Sequence, residues 1–352
     1  MHSALQRALP FALLILAAVL ILMSASCSGE QESPGERSLA VWSEFLADDD
    51  VRAAFPLLVE ERSDLYLAIP AARIGDPDLE LLLRDAHDAG VGVRAWLLLD
   101  REDGYWPNEH NVDIMRQATM AFADWRDQAA LPVDWIIFDM EMSLERSEAV
   151  AAKIKADGSV AGLTMVKEGR DPETFVRSKE AFRQLVVDLQ ARGLKVMAVT
   201  YPLILDDPED GDEDISDEFD VPIFDIPWNQ VSFMVYQSMI FDLLGEWQGP
   251  DVVKSYADTA VELFDDRAAI ALGIVGSAGI TEVAMPYPDA ETLLADHAAA
   301  RGSAVGSISI YSLDGLLQQS MPETWIDRDV PPTHPVDVTA EYVRNLVRGL
   351  LD

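Results

Sequence analysis

Asp134-Trp135-Ile136-Ile137-Phe138-Asp139-Met140-Glu141 is the stretch on which the fold turns. Side chains along a strand alternate between two faces. Ile136, Phe138, Met140 and Met142 share one face, and all four are apolar. Ile137, Asp139 and Glu141 share the other. Two carboxylates at the end of one face are costly in an ordinary core, because burying unpaired charge is expensive or shifts the pKa. The cost is tolerable at the mouth of a parallel barrel, where catalytic groups stand at the C-terminal ends of strands. The plain structural alternative is a carboxylate pair held by Arg or Lys at a barrel rim.

Working outward, apolar strand-like runs alternate with helical periodicity. The runs are Leu39 to Phe45, Asp64 to Pro70, Val91 to Asp100, Val133 to Ser143, Leu194 to Pro202, Gln230 to Ser238, Ala268 to Gly276 and Ala304 to Leu313. Helical patterns lie between them, over 50–61, 76–89, 111–128, 144–156, 172–192, 250–267 and 289–301, and a last one over 338–351 closes the chain. Asp76 before Pro77 predicts a helix cap. Eight strands alternating with helices predict an α/β fold, a single-domain (β/α)8 TIM barrel over 38–352. An open doubly wound sheet would normally bring a Gly-rich phosphate loop after the first strand, and none is present. The one Gly-rich run, Gly273 to Gly279, reads as the exit of the seventh strand.

The first residues read as a targeting segment. Arg7 is the only charged residue before an apolar run from Phe11 to Met23. That run is shorter than the roughly 20 residues of a membrane span and suits a signal peptide over 1–26. Ser24-Ala25-Ser26-Cys27 resembles a bacterial lipoprotein box, with Ser24 where Leu is usual. Cys27 is the chain's single cysteine and cannot form an internal disulfide. The expectation is an exported protein, lipidated at Cys27, tethered through 27–37 and membrane-anchored in the periplasm or at the cell surface.

The chain carries 62 acidic and 26 basic residues, a formal net charge of −36. Such a field repels nucleic acid and other polyanions and admits neutral or cationic substrates. Ten acidic residues fall between Asp206 and Asp220, after the fifth strand. They match a calcium loop only in part, and the segment reads as a flexible solvated lid. The histidines lack zinc spacing, and no Ser nucleophile elbow appears. Neither a metal nor a cofactor is expected.

Three strand ends resemble the chitinase-like family 18 of glycoside hydrolases. That family carries D-x-x-D-x-D-x-E on its fourth strand. Asp134, Asp139 and Glu141 match its first Asp, last Asp and Glu, while Ile137 replaces the middle Asp. Its sixth strand carries M-x-Y-D, and this chain has Met234-Val235-Tyr236-Gln237. Its eighth often ends W-S-L-D-G, and this chain has Tyr311-Ser312-Leu313-Asp314-Gly315. The S-x-G-G signature of the third strand is missing.

The resemblance implies a retaining glycosidase acting on an N-acetylhexosamine-containing glycan, with the substrate's acetamido oxygen as nucleophile. Glu141 would be the general acid, Asp139 the partner of the acetamido N–H, and Tyr236 a donor to the acetamido oxygen. Gln237 could hydrogen-bond there without charge. Around these, Glu44, Asp100, Trp106, Tyr201, Tyr311 and Asp314 are candidate substrate-binding residues at strand ends or in loops of the same face. Tyr105 shares the loop of Trp106, which either stacks on a sugar or anchors its loop. Trp135 and Trp228, near strand beginnings, read as packing. Two other readings remain open. One is a glycosidase with two protein carboxylates, in which Glu282 is the candidate after the seventh strand. The other is a non-catalytic glycan-binding lipoprotein on the same barrel.

Overall fold

The computed structural model describes residues 38–206, 214–244, 247–277, 285–335, 340 and 344–345. The signal segment, Cys27, the tether and Glu282 lie outside the described residues, as does most of the closing helix. Among the described residues, no helix is long and apolar enough to cross a membrane.

Eight parallel strands close a barrel in sequence order. They are β1 (Ser38–Ser43), β2 (Ser63–Pro70), β3 (Val93–Leu98), β4 (Trp135–Asp139), β5 (Lys195–Thr200), β6 (Gln230–Tyr236), β7 (Ala268–Gly273) and β8 (Ser307–Tyr311). The helices between them include α1 (Asp48–Glu60), α2 (Pro77–Ala89), α3 (Val112–Ala129), α4 (Leu144–Asp157), α5 (Ser159–Glu168), α6 (Pro172–Ala191), α7 (Asp214–Phe219), α8 (Gln237–Leu244), α9 (Pro250–Phe264) and α10 (Ala290–Gly302). Local chemistry starts and stops them. Asp76 caps α2 by accepting from the Asp78 N–H, with Pro77 at the first helical position, and Gly90 ends it at φ 89°. Asp171 and Asp289 cap α6 and α10 in the same way, through Thr174 and Thr292.

The alternation along β4 sorts its side chains as the pattern requires. Phe138 points to the helix layer, with ring centroids 6.3 Å from Phe182 of α6 and 6.1 Å from Trp228. Burying one such ring contributes roughly 1.5–3 kcal/mol. Asp139 therefore faces the interior. The inward row Tyr236, Gly273, Tyr311, Trp42, Tyr66 and Arg94 runs side by side through the pairing of β6, β7, β8, β1, β2 and β3. Ser307 and Ser309 of β8 also point inward, where they meet the Tyr66 hydroxyl at 3.3 Å and the Trp42 indole N–H at 2.9 Å. At the strand-start end, the buried Arg94 guanidinium bonds Gln230 and lies 4.1 Å from the Trp135 ring centre. Trp135 and Trp228 both pack, the latter donating its indole N–H to the Ile223 carbonyl at 3.0 Å.

Three expectations need correction. The strands are shorter than the apolar runs: β4 stops at Asp139, and Glu141 stands in the loop beyond it. The run continues because Met140 and Met142 stay buried after the ladder ends, so burial outlasts strand pairing. Three helices are unexpected: α5 between Gly158 and Gly169, α7 within the acidic segment, and α8, which begins at Gln237 although the strand-like run extends to Ser238. The described ends of the acidic segment are not solvated. Asp206 is wholly buried against Arg344, and Asp220 is buried against Arg146 at 2.5 Å. Paired with a guanidinium, a carboxylate can enter the interior that composition alone would deny it.

Candidate active site

The C-terminal ends of the strands bring Glu44, Asp139, Glu141, Tyr201, Tyr236 and Tyr311 to one mouth. Asp139 ends β4, Tyr236 ends β6 and Tyr311 ends β8. Glu44 and Tyr201 each stand one residue past β1 and β5. Tyr236 and Tyr311 lie with ring centroids 5.9 Å apart. Gly273 makes room for this: a Cβ there would fall 3.0 Å from the Tyr236 ring and 3.3 Å from the Tyr311 carbonyl. Trp96 closes the floor, its ring centre 5.1 Å from Trp42 and 6.4 Å from Tyr311.

Glu44 is held by two phenols. Tyr105 donates to Oε1 at 2.5 Å, and Tyr311 donates to Oε2. Asp314 fastens the same turn by accepting the backbone N–H groups of Glu44 (3.3 Å) and Phe45 (2.7 Å). Tyr105 adopts φ 64°, a left-handed conformation uncommon outside glycine. The loop enforces it: the Asn111 side chain donates to the carbonyls of Asp103 (3.0 Å) and Trp106 (2.8 Å). Trp106 donates its indole N–H to the Met142 carbonyl at 2.7 Å. The loop after β3 thus spans the mouth from β1 to the exit of β4.

The electrostatics single out the acid pair. Burial lifts the Asp139 carboxyl well above its ordinary range, and repulsion from Glu141 and Glu44 adds to this. Burial raises Glu141 to about 7, a hydrogen bond from Tyr201 pulls the other way, and Glu44 raises it further. The pair therefore retains a proton at neutral pH, the state a general acid needs. Glu44 is also raised, chiefly by burial, against the lowering effect of its two phenol donors. The Tyr201, Tyr236 and Tyr311 hydroxyls are all pushed upward by burial and by these carboxylates, so all stay protonated donors.

The remaining candidates fall elsewhere in the architecture. Gln237 is fully buried; its amide donates to the Gly249 carbonyl at 3.2 Å and it hydrogen-bonds Asp296. Asp100 is exposed, and its backbone carbonyl accepts from Asp103 and Tyr105. Trp106 serves as a loop anchor through its N–H. Asp314 is a backbone-capping group.

Sequence reasoning did not select Tyr105, Trp42, Trp96 or Gly273. Alternation along β1 and β3 is the signal that would have found both Trp residues. Tyr105 lies in an irregular loop, where no periodicity operates. Among the described residues, no group of three or more His, Cys, Asp or Glu side chains is placed to hold a metal ion.

No family model and no curated protein sequence matches this chain. Its fold is similar to solved barrels. An AHE enzyme from Alicyclobacillus herbarius shares 12% identity at TM-score 0.48, over 79% of this chain and 89% of that one. The spore cortex-lytic enzyme SleL of Bacillus megaterium QM B1551 shares 12% at 0.46, over 86% and 77%. A D-allulose 3-epimerase from Methylomonas sp. shares 13% at 0.45, over 90% and 99%. Likenesses at this level carry no argument about chemistry, and the barrel rests on its own strand order.

Proposed function

We propose that this chain is a glycoside hydrolase acting on an N-acetylhexosamine-containing glycan by a substrate-assisted retaining mechanism. The observation that supports it most is the buried Asp139–Glu141 pair at the exit of β4, raised to hold a proton at neutral pH. Glu141 gives that proton to the glycosidic oxygen as the C–O bond breaks. The acetamido carbonyl oxygen of the same sugar closes on the anomeric carbon. Asp139 accepts the acetamido N–H, and the Tyr236 hydroxyl donates to the acetamido oxygen. Glu141, now a carboxylate, takes a proton from water as it opens the cyclic intermediate, which returns the original anomeric configuration. Ile137 and Gln237 stand where the resembling family has Asp, so Asp139 works without a second carboxylate below it.

Export and anchoring belong to the same reading. The apolar run Phe11–Met23 and the single Cys27 support a lipidated protein outside the cytoplasm. The net charge of −36 argues against nucleic acid as a partner.

The test is hydrolysis of a panel of N-acetylhexosaminide oligosaccharides by wild type and Glu141→Gln. Glu141→Gln keeps the shape and removes the transferable proton, so kcat should fall by about 10²–10⁴-fold while ligand binding persists. Full activity in Glu141→Gln overturns the assignment. Binding without hydrolysis by the wild type replaces the enzyme with a glycan-binding protein.

A further inference from the structure

Among the described residues, the carboxylates of the mouth have no counter-cation. Glu44 raises the proton affinity of Asp139 and Glu141, Glu141 raises that of Asp139, and Asp314 raises that of Glu44; among the described residues, no basic side chain figures among the influences on any of the three. Their partners are neutral phenols, Tyr105 and Tyr311 on Glu44 and Tyr201 on Glu141. Of the buried carboxylates elsewhere, Asp296 is likewise held by a phenol, Tyr287, whereas two others have a guanidinium. Asp206 has Arg344, and Asp220 has Arg146.

The sequence reinforces this polarity. Residues 44–51, 201–229, 237–253, 274–296 and 312–327 follow β1, β5, β6, β7 and β8, and contain no Lys, Arg or His. The other three loops do carry cations, but near the strand ends these are already spent. Arg73 pairs with Asp48 and Asp76, Arg101 with Glu148, and Arg146 with Asp220. The opposite end of the barrel is where basic residues gather. Arg62, Arg94, Arg192, Lys195, Arg267 and Arg301 stand before or at the beginnings of strands. A generally acidic surface would not sort its charges by barrel end.

Two interior groups also wait for a ligand. Asp139 Oδ1 and the Trp96 indole N–H are buried in residues 7% and 4% exposed, and neither has a hydrogen-bond partner among the described residues. Both face the interior. Leaving such groups unpaired is costly, so the mouth is built for an occupant offering a donor to Asp139 and an acceptor to Trp96. Among the described residues, these carboxylates do not form a group of three placed to hold a metal ion. An ammonium on a larger hydrogen-bonding molecule would meet both demands, a positive charge for the carboxylates and a donor and an acceptor for Asp139 and Trp96.

We propose that the glycan carries a free, protonated amine, seated against Glu44 beside the Asp139–Glu141 pair, so that the substrate is a partly deacetylated amino-sugar polymer. This rests on the glycan-hydrolase reading and narrows it: an acetylated sugar at the cleavage point, an amino sugar beside it. Five loops without a basic residue would draw such a polycation in and repel polyanionic glycans.

The experiment is calorimetric binding to the purified protein, with hexamers of glucosamine and of N-acetylglucosamine as probes, plus a series of intermediate acetylation. The expected result is amine-bearing oligomers binding on the order of tenfold tighter at low salt, with the advantage shrinking as salt is raised. Glu44→Gln should erase most of that preference, measured as the ratio of the two affinities. Asp139→Asn is the second variant if Glu44→Gln melts early. Equal or weaker binding of amine-bearing oligomers, or an unchanged ratio in folded variants, overturns the proposal. Hydrolysis of fully acetylated probes without any amine preference would leave the hydrolase reading standing alone. Amine preference without hydrolysis would do the reverse.

Discussion

The phenol of Tyr201 hydrogen-bonds the carboxyl of Glu141, and the two arrive from adjacent strand ends, β5 and β4. The donor stabilises the carboxylate, so it opposes the burial that raises Glu141 to about 7. Tyr201→Phe removes only that donor. The Glu141 proton should then be held more tightly, and the alkaline limb of kcat should move upward from about pH 7. Activity at pH 6 should fall by about tenfold at most, the worth of one hydrogen bond. A pH–rate profile on any confirmed substrate decides it, and a limb that stays put or moves down removes Tyr201 from the control of Glu141.

A second relationship accounts for Gln237, which stands where the resembling family has Asp. Gln237 hydrogen-bonds Asp296, itself buried, raised to about 7 and within reach of Asp251. A carboxylate at 237 would place a further buried charge beside that pair. Gln237→Glu is nearly isosteric, so its effect isolates the charge. It should cost several kcal/mol at pH 8, the range for breaking a buried polar network, and distinctly less at pH 5. Urea titrations at both pH values measure this, and equal stability of variant and wild type at pH 8 would refute it.

These two cases show where the sequence is legible. The barrel could be read because its evidence is periodic: strands and helices repeat, and Phe138 and Asp139 must face opposite ways. The same alternation accounts for Asp139, whereas Glu141 stands in the loop past the end of β4, where alternation no longer applies. Gln237 could not be understood that way, because its reason is Asp296 on α10, a contact made by the fold rather than by spacing. Tyr105 stands beside the larger Trp106 in an irregular loop, where the sequence offers no reason to prefer it. The left-handed backbone that turns the Tyr105 hydroxyl onto Glu44 depends on Asn111, and no pattern of apolar residues encodes it.

The proposed anchor makes a prediction independent of the barrel. If Cys27 is lipidated, Cys27→Ser should move the protein from the membrane fraction to the soluble fraction. Cys27 is the chain's single cysteine, so it is the one residue that could carry a thioether-linked lipid. Wild-type protein that already fractionates as soluble and unmodified rejects lipidation.

Asp296 also sets a pH dependence of stability. Its carboxyl is raised to about 7 by burial, against the lowering hydrogen bonds of Tyr287 at 2.6 Å and of Gln237. In the unfolded chain it would titrate near 3.9. Between those values the folded state binds the extra proton, so this group's contribution to stability falls as pH rises. The contribution is fully present below about pH 4 and is lost as pH passes 7. Asp296→Asn keeps an acceptor for Tyr287 and cannot ionise, so it removes the loss. The stability difference, variant minus wild type, should therefore grow in the variant's favour between pH 5 and pH 8, on the order of a few kcal/mol. Taking the difference cancels the other titrating groups, including the buried His297, whose depressed pKa of about 3 works in the opposite direction. Denaturant titrations of both proteins at pH 5, 6.5 and 8 measure the difference, and a flat one would mean that Asp296 is ionised in the fold across that range.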